Sequence, residues 1–304
     1  MNAEALVLLG RLLGESGYQF VTGTPETQRR VNARDGSSGA RSLRDVFGWS
    51  RSFAAGVLPP LMLDALRAAN ALDESGPELR SRVRFSTLNG AIYAHSAYPT
   101  TSEDAVFFGP DTYRFCAFLA REMRPARRLV DVGCGSGAGG LRVAGLAERV
   151  VLADINGAAL SLARVNAELG GHGHRVEVCE SDVLAGVEGS LDVVVANPPY
   201  LVDARKRAYR DGGADHGTEL AIRIVREALT RLSPGGRLLV YTGAPVIAGD
   251  DVFLRAAQPV LDRAGARWTY EELDPDVFGE ELEGPAYAGV ERIAAVGLSA
   301  TLPP

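Results

Sequence analysis

The sequence has a single lysine, Lys206, among its 32 basic residues and only three cysteines, Cys116, Cys134 and Cys179. Basic charge carried almost wholly by arginine reflects base composition more than chemistry. An odd number of widely spaced cysteines excludes a disulfide framework and offers no zinc spacing, so a reducing cytoplasm is the expected compartment. Long hydrophobic runs are also missing. The longest near the front, FAAGVLPPLML, is broken by Pro59-Pro60 and is too short to span a bilayer. The opening MNAEALVLLGRLLGESG lacks a basic leader and a long apolar core, so no signal peptide is expected. The net charge of −6 argues against a broad nucleic-acid-binding face, while local basic patches remain allowed. What remains is ordinary for a soluble globular protein, and 304 residues suffice for one large domain or one domain with a smaller companion.

The periodicity changes along the chain. Residues 1–80 read as helices: ALVLLGRLL and LPPLMLDALRAANAL have helical apolar spacing, and Pro59-Pro60 suits a helix start. TGTPETQRRVNARDGSSGARS reads as a polar linker or a short helix with turns. RVRFSTLNGAIYAHSAY holds two strand-like runs around Asn89-Gly90, a hairpin signal. Then FFGPDTYRFCAFLAREM turns at Gly109-Pro110 into an amphipathic helix. From residue 127 strands and helices alternate. RRLVDV, RVVLADI, RVEVCES, LDVVVA and RLLVYTG are strands, with AGGLRVAGLAE, AALSLARVNAELG, TELAIRIVREALTRL and DVFLRAAQPVLDRAG as helices. RWTYEEL and ERIAAVGLSA close the series. Such alternation means an α/β fold built on a parallel sheet with an antiparallel edge, which binds ligands at the carboxyl ends of its strands.

Three motifs fall at those ends. VDVGCGSGAGG follows the first strand, and Gly133, Gly135 and Gly137 let the backbone turn tightly and approach a ligand. Gly135, Gly137 and Gly140 also fit G-x-G-x-x-G, which favours NAD. Asp131, two residues before Gly133, suits instead a cation such as the amino group of a methionyl moiety. Asp154 follows Asp131 by 23 residues, near the ~20-residue interval at which an acid meets ribose hydroxyls. Its neighbour Ile155 is placed to line an adenine. After the third strand, Asp182 can accept from an adenine amino group and Val183 can pack on the ring.

The fourth strand ends in Asn197-Pro198-Pro199-Tyr200. A residue before proline is driven to extended geometry, and two prolines supply no backbone N–H. The Asn197 side-chain oxygen and the Asn197 and Pro198 carbonyls form a cluster of acceptors beside the flat face of Tyr200. That suits a planar group bearing N–H bonds: an amide, a nucleobase amine or a guanidine. Hydrogen bonds from such a nitrogen to Asn197 Oδ1 and the Pro198 carbonyl would strengthen as it becomes positive during attack on an electrophile.

Together DVGCGSG, LADIN, ESDVL and NPPY resemble class I S-adenosylmethionine-dependent methyltransferases of the NPPY branch, over about residues 82–300. Within that branch the chain is most similar to the HemK-type release-factor glutamine methyltransferases. DGGADHGTELAIRIVREALTRLSPGGRLLV resembles their segment after NPPY. FFGPDTYRF stands where they carry a PRPETE-like segment, here GPDTYR, and residues 1–80 do not align with their substrate domain. The resemblance implies a Rossmann-like seven-stranded methyltransferase sheet (109–304), an N-terminal helical substrate-recognition domain (1–80) and a linking β-hairpin (81–108). It implies S-adenosyl-L-methionine as cofactor, with Asp131, Gly133 and Gly135 on the methionyl part, Asp154 on the ribose and Asp182 on the adenine amine. Residues 197–200 would take the acceptor.

The expected activity is N-methylation of a planar nitrogen on a protein or small molecule. The alternatives are a non-methylating reaction that releases methylthioadenosine, with Tyr200 steadying the sulfonium, an NAD-dependent dehydrogenase, an RNA base methyltransferase and a non-catalytic partner protein. Nucleic acid is the less favoured acceptor, no membrane association or metal is expected, and no oligomeric state is written in the sequence. His216 is a candidate substrate contact. Arg205, Lys206, Arg207 and Arg210 read as a solvated loop before an anion site. Phe108 and Tyr113 suit either a cofactor cover or core packing, and residues 275–289 suit a substrate wall.

Overall fold

Three polar residues open the first helices. Asn2, Thr24 and Ser42 accept from the backbone N–H of Ala5, Thr27 and Asp45 at 3.2, 3.1 and 3.2 Å, the contact that satisfies a helix N-terminus. In the computed structural model, which describes residues 1–36 and 39–304, they start α1 (Ala3–Glu15), α2 (Pro25–Asn32) and α3 (Leu43–Phe47). The stretch read as a linker or short helix is therefore α2 with turns; its Ser37 and Ser38 lie outside the described residues. Helix α4 (Pro60–Ala68) starts at the diproline, as expected.

Helices do not continue to residue 80. Asn70 takes a left-handed backbone, φ +53°, and ends α4. The chain then forms two short strands, β1 (Leu72–Asp73) and β2 (Arg80–Ser81), paired antiparallel across the turn-rich ESGPE. β3 (Val83–Leu88) and β4 (Ala91–Ser96) form the expected hairpin. Asn89 and Gly90 both have positive φ, +49° and +83°, which a two-residue turn matching strand twist requires.

The chain divides into two compact units. The first holds residues 1–113 together with 135–138 and 158–174. Its core packs Leu6, Leu9 and Leu13 of α1 with Phe47, Val83 and Phe85, and with Leu162 and Val165 of α7 (Gly157–Leu169), following the 3.6-residue spacing of both helices. Asn166 of α7, 1% exposed, ties this unit together through three hydrogen bonds. It accepts from Ala94 N at 2.7 Å and donates to Ala94 O and Ser136 O at 2.9 and 2.8 Å.

The second unit is built on a sheet, reached through α5 (Pro110–Glu122). Its strands are β5 (Ala126–Val132), β6 (Ala147–Asp154), β7 (Val176–Glu180), β8 (Leu191–Ala196), β9 (Leu232–Ile247), β11 (Arg267–Asp274) and β12 (Arg292–Thr301). The order across it is β11-β12-β9-β8-β5-β6-β7, with a small β10 (Asp250–Asp251) folded back on β9. The seven expected strands are all present. β5 to β9 pair in parallel. The antiparallel strand is not at the edge: β12 inserts between β9 and β11 and runs against both. Paired at seven positions with β11 and at ten with β9, β12 is satisfied on both edges, which leaves β11 as the boundary.

Helices α6 (Ala138–Arg142), α9 (Glu219–Arg231) and α10 (Val252–Arg263) accompany the sheet, with a single turn α8 (Ala214–Gly217) before α9. α6 is shorter than its sequence suggested, because the glycine-rich AGGLR gives way to a 3-10 turn at Ala144. Among the described residues no helix is long and apolar enough to cross a membrane.

Candidate active site

β5 and β8 are neighbours, with β6 and β7 laid down on one side and β9 on the other. The strand order reverses between them, and crevices in parallel sheets open at such a reversal. Val132 pairs with Ala196 and Val130 with Val194. The glycine turn beginning at Gly133 and the turn beginning at Asn197 therefore leave the same rim side by side, though 64 residues separate them in the chain.

Gly133, Gly135 and Gly137 have φ of +66°, +55° and +78°, a region that L side chains rarely adopt. A Cβ on Gly133 or Gly135 would meet no atom within 4 Å, so the turn borders open space. Gly140 serves another purpose. A Cβ there would lie 2.7 Å from Leu152 Cδ2 and 3.1 Å from Asp131 Cβ, so only glycine lets α6 settle onto β5 and β6. Its N–H donates to Asp131 Oδ2 at 2.7 Å. No described group hydrogen-bonds to the other Asp131 oxygen. This carboxyl is 1% exposed. Burial pushes it up to about 7, the Gly140 N–H opposes that, and the charge of Asp154 adds to it. An acid with an unused oxygen beside an open glycine turn can hold an aminated ligand.

Asp154 ends β6 and accepts from Asn156 N at 2.9 Å. Ile155 beside it exposes 61% of its surface, an apolar side chain held at the rim. After β7, Asp182 receives Nη1 and Nη2 of Arg223, from α9, at 2.8 and 3.0 Å. Val183 has φ +52°, an outlier for a β-branched residue. Its side chain is buried with Leu184, Val187 and Leu191, so the apolar surface at this end belongs to the core.

In the NPPY turn Asn197 and Pro199 are half-buried and Pro198 and Tyr200 are buried. No described group hydrogen-bonds to the Asn197 amide, which keeps its acceptor uncommitted. The Tyr200 ring is placed by two partners. A Cβ on Gly243 of β9 would overlap its Cδ2 and Cε2, and the Phe278 ring meets it edge-on at 5.8 Å. Phe278 itself has φ +57°, strain carried next to the turn.

The segment after NPPY closes back on it. Gly212 N donates to Leu201 O at 2.7 Å and Leu201 N to Arg210 O at 3.2 Å. A side chain on Gly212 or Gly217 would run into the backbone at Tyr200. Asp215 and His216 between those glycines both have left-handed backbones, φ +52° and +56°. The link over residues 275–291 is joined to this segment at three points. Tyr287 Oη accepts from Val202 N at 2.9 Å, Arg210 pairs with Glu281, and His216 Nδ1 donates to Ala286 O at 2.9 Å. His216 thus holds the link and presents its other ring nitrogen.

The basic loop is internally paired. Arg207 grips the buried Asp203 through Nε and Nη2 at 2.8 and 2.7 Å and holds that carboxyl well below its usual range. Lys206 pairs with Asp211 at 3.1 Å. Phe108 and Tyr113 belong to the first unit, where Phe108 stacks on His95 at 4.9 Å and Tyr113 Oη accepts from Thr22 N at 3.1 Å. Among the described residues no cluster of His, Cys, Asp or Glu is arranged for a metal.

Sequence reasoning missed Gly212, Gly217, Gly243, Phe278 and Arg223. A signal existed for one of them: Gly243 interrupts an apolar strand, where glycine marks the close approach of another group.

A family model described as a methyltransferase small domain matches residues 102–246. The chain is 33% identical over 219 residues to the release factor glutamine methyltransferase of Deinococcus radiodurans, covering 66% of this chain and 73% of that protein. It is 34% identical over 169 residues to the release factor glutamine methyltransferase of Moorella thermoacetica, covering 50% and 56%. It spans about half the length of several further curated relatives it matches. Solved structures share the fold. Trm5b from Pyrococcus abyssi aligns with 93% of this chain and 79% of its own at TM-score 0.54 and 14% identity. Trm5 of Methanocaldococcus jannaschii in complex with adenosine aligns with 73% and 57% at TM-score 0.53 and 17% identity.

Proposed function

Because this chain belongs to the release factor glutamine methyltransferase family, we propose that it transfers a methyl group from S-adenosylmethionine to the side-chain amide nitrogen of a protein glutamine. The observation that carries this reading is the pairing of β5 with β8 at Val132 and Ala196, which sets the glycine turn and Asn197 side by side. S-adenosylmethionine, when bound, supplies an electrophilic methyl group. Asp131 holds the ammonium of its methionyl end, Asp154 takes its ribose hydroxyls, and Asp182, steadied by Arg223, accepts from its adenine amine.

An amide nitrogen is a poor nucleophile because its lone pair is delocalised. Asn197 Oδ1 and the Pro198 carbonyl accept its two N–H bonds and orient the lone pair. They bind it more tightly as positive charge develops, which lowers the barrier. Tyr200, fixed by Gly243 and Phe278, sets the plane in which the amide lies, and that positioning supplies much of the remaining acceleration. We assign its action to a reducing cytoplasm, in keeping with three cysteines that form no disulfide among the described residues.

The test is incubation of the protein with methyl-labelled S-adenosylmethionine and a release factor from the same cells. Label on a glutamine of the release factor, with S-adenosylhomocysteine as co-product, is expected. Release of methylthioadenosine, or label confined to RNA, would overturn the assignment.

A further inference from the structure

Arg84 of β3 is 4% exposed and lies within the first unit without a carboxylate partner among the described residues. Its Nη2 donates to Gln28 Oε1 at 3.1 Å, its guanidinium carbon sits 5.5 Å from the centroid of the Phe20 ring, and its buried Nε has no partner. The ionisable groups whose fields raise its proton affinity are three phenols, Tyr18, Tyr113 and Tyr98. Burial outweighs them and brings Arg84 down to about 10, so the charge persists at neutral pH.

The surrounding polar groups cannot neutralise that charge. Tyr18 Oη donates to Phe85 O at 2.9 Å. His95, paired with Arg84 across the hairpin, donates from Nδ1 to Ser96 O at 3.1 Å, so its Nε2 is the acceptor for the Ser86 hydroxyl at 2.8 Å. Ser86 in turn accepts from Thr22 Oγ1 at 2.5 Å. Burial, and then the charge of Arg84, hold His95 well below its ordinary value, which keeps it neutral. Gln28 is oriented too: its Nε2 donates to Trp49 O at 2.6 Å, which turns Oε1 toward Arg84.

A buried guanidinium with a free N–H and no counterion is costly to a fold that needs only packing, and leucine or methionine would fill the same space. The arrangement is that of a cation held ready. We propose that the first unit binds an oxyanion, a carboxylate or phosphoryl group of a ligand, on Arg84. The planar fork favours two-point contact with such a group, and Gln28 and Phe20 fix its plane in advance. Tyr98 and Tyr113, both half-exposed, are the members of the cluster that reach the surface. This inference is independent of the methyl-transfer reading.

Trp49 is a built-in reporter, since its ring meets Phe20 edge-on at 5.1 Å and its carbonyl bonds Gln28. The full chain carrying Trp268→Phe keeps Trp49 as its single tryptophan. Its emission is followed during titration with sodium acetate and with sodium phosphate, each against sodium chloride of matched ionic strength. A saturable change with an oxyanion and none with chloride is expected. A response to acetate identifies a carboxylate ligand, and one confined to phosphate a phosphoryl ligand. Arg84→Gln should abolish the response, and Arg84→Lys, which keeps the charge without the fork, should weaken it by about tenfold or more. No change beyond that seen in chloride, or an undiminished response in Arg84→Gln, overturns the proposal. Should Arg84→Gln not fold, wild-type affinity in Arg84→Lys overturns it as well.

Discussion

The Tyr200 ring occupies the place that a side chain on Gly243 would need. β9 therefore sets the position of the Tyr200 ring, from a residue 43 positions beyond it in the chain. Gly243→Ala should push the ring off this seat. A displacement near 1 Å at a reacting centre costs about a hundredfold in rate, so turnover should fall by about that factor. Binding of S-adenosylhomocysteine, measured by calorimetry, should stay within about threefold of wild type. Normal turnover in this variant would separate Tyr200 from acceptor positioning.

Asn197→Ala removes the acceptor oxygen but leaves both prolines. Loss of one preorganised hydrogen-bonding group lowers kcat by about 10²–10³. Cofactor affinity should change little. Single-turnover methyl transfer at saturating cofactor reads the chemical step directly, and an unaltered rate would remove Asn197 from the mechanism.

Asp131 predicts a pH dependence. Its folded pKa is raised to about 7 from 3.8, through burial first, against the Gly140 N–H, with the charge of Asp154 adding. Between those values the folded chain binds this proton more tightly than the unfolded chain. The contribution of Asp131 to stability is thus best at low pH and declines as pH rises from about 4 to about 7, then levels. Asp131→Asn should flatten that part of a urea-melt stability profile. Binding of an ammonium needs the ionised carboxyl, so affinity for S-adenosylhomocysteine should rise by up to about tenfold per pH unit approaching 7 and then plateau. Affinity independent of pH from about 5.5 to 8 would deny Asp131 the cation.

Asn166→Leu leaves Ala94 N, Ala94 O and Ser136 O without their partner. Each buried group left unsatisfied costs about 1–3 kcal/mol, so the variant should lose about 3 kcal/mol or more in equilibrium urea unfolding. A loss below about 1 kcal/mol would mean that water replaces the amide.

The alternating pattern after residue 127 was enough to place β5 through β9 and α7, α9 and α10, because each element carries its own period and its own breakers. The hairpin at Asn89-Gly90 and the start of α4 at Pro59-Pro60 were legible for the same reason. Reading failed where the decisive contact was remote. The helical reading carries on to residue 80, yet Asn70 turns the chain and β1 finds β2. The spacing of RWTYEEL and ERIAAVGLSA announces two strands but not that the second slips between the first and β9. In the candidate site, Asp131, the glycine turn and Asn197 could be placed at strand ends from the sequence alone. The clamp of Gly212 and Gly217 on the NPPY backbone could not, and neither could the hold of Arg223 on Asp182, since each pairs residues that nothing local connects.

By itself the amino-acid sequence determined most strands and helices from the hairpin onward, and that a glycine turn and a diproline turn would stand at strand ends. Side-chain periodicity, glycine's access to positive φ and proline's missing N–H all act within a few residues. Only the tertiary structure decided that β8 lies beside β5, that Tyr200 rests on Gly243, and that Arg84 is buried with no counterion among the described residues. Those outcomes depend on which distant surfaces exclude water together, and that is settled by the packing of the whole chain.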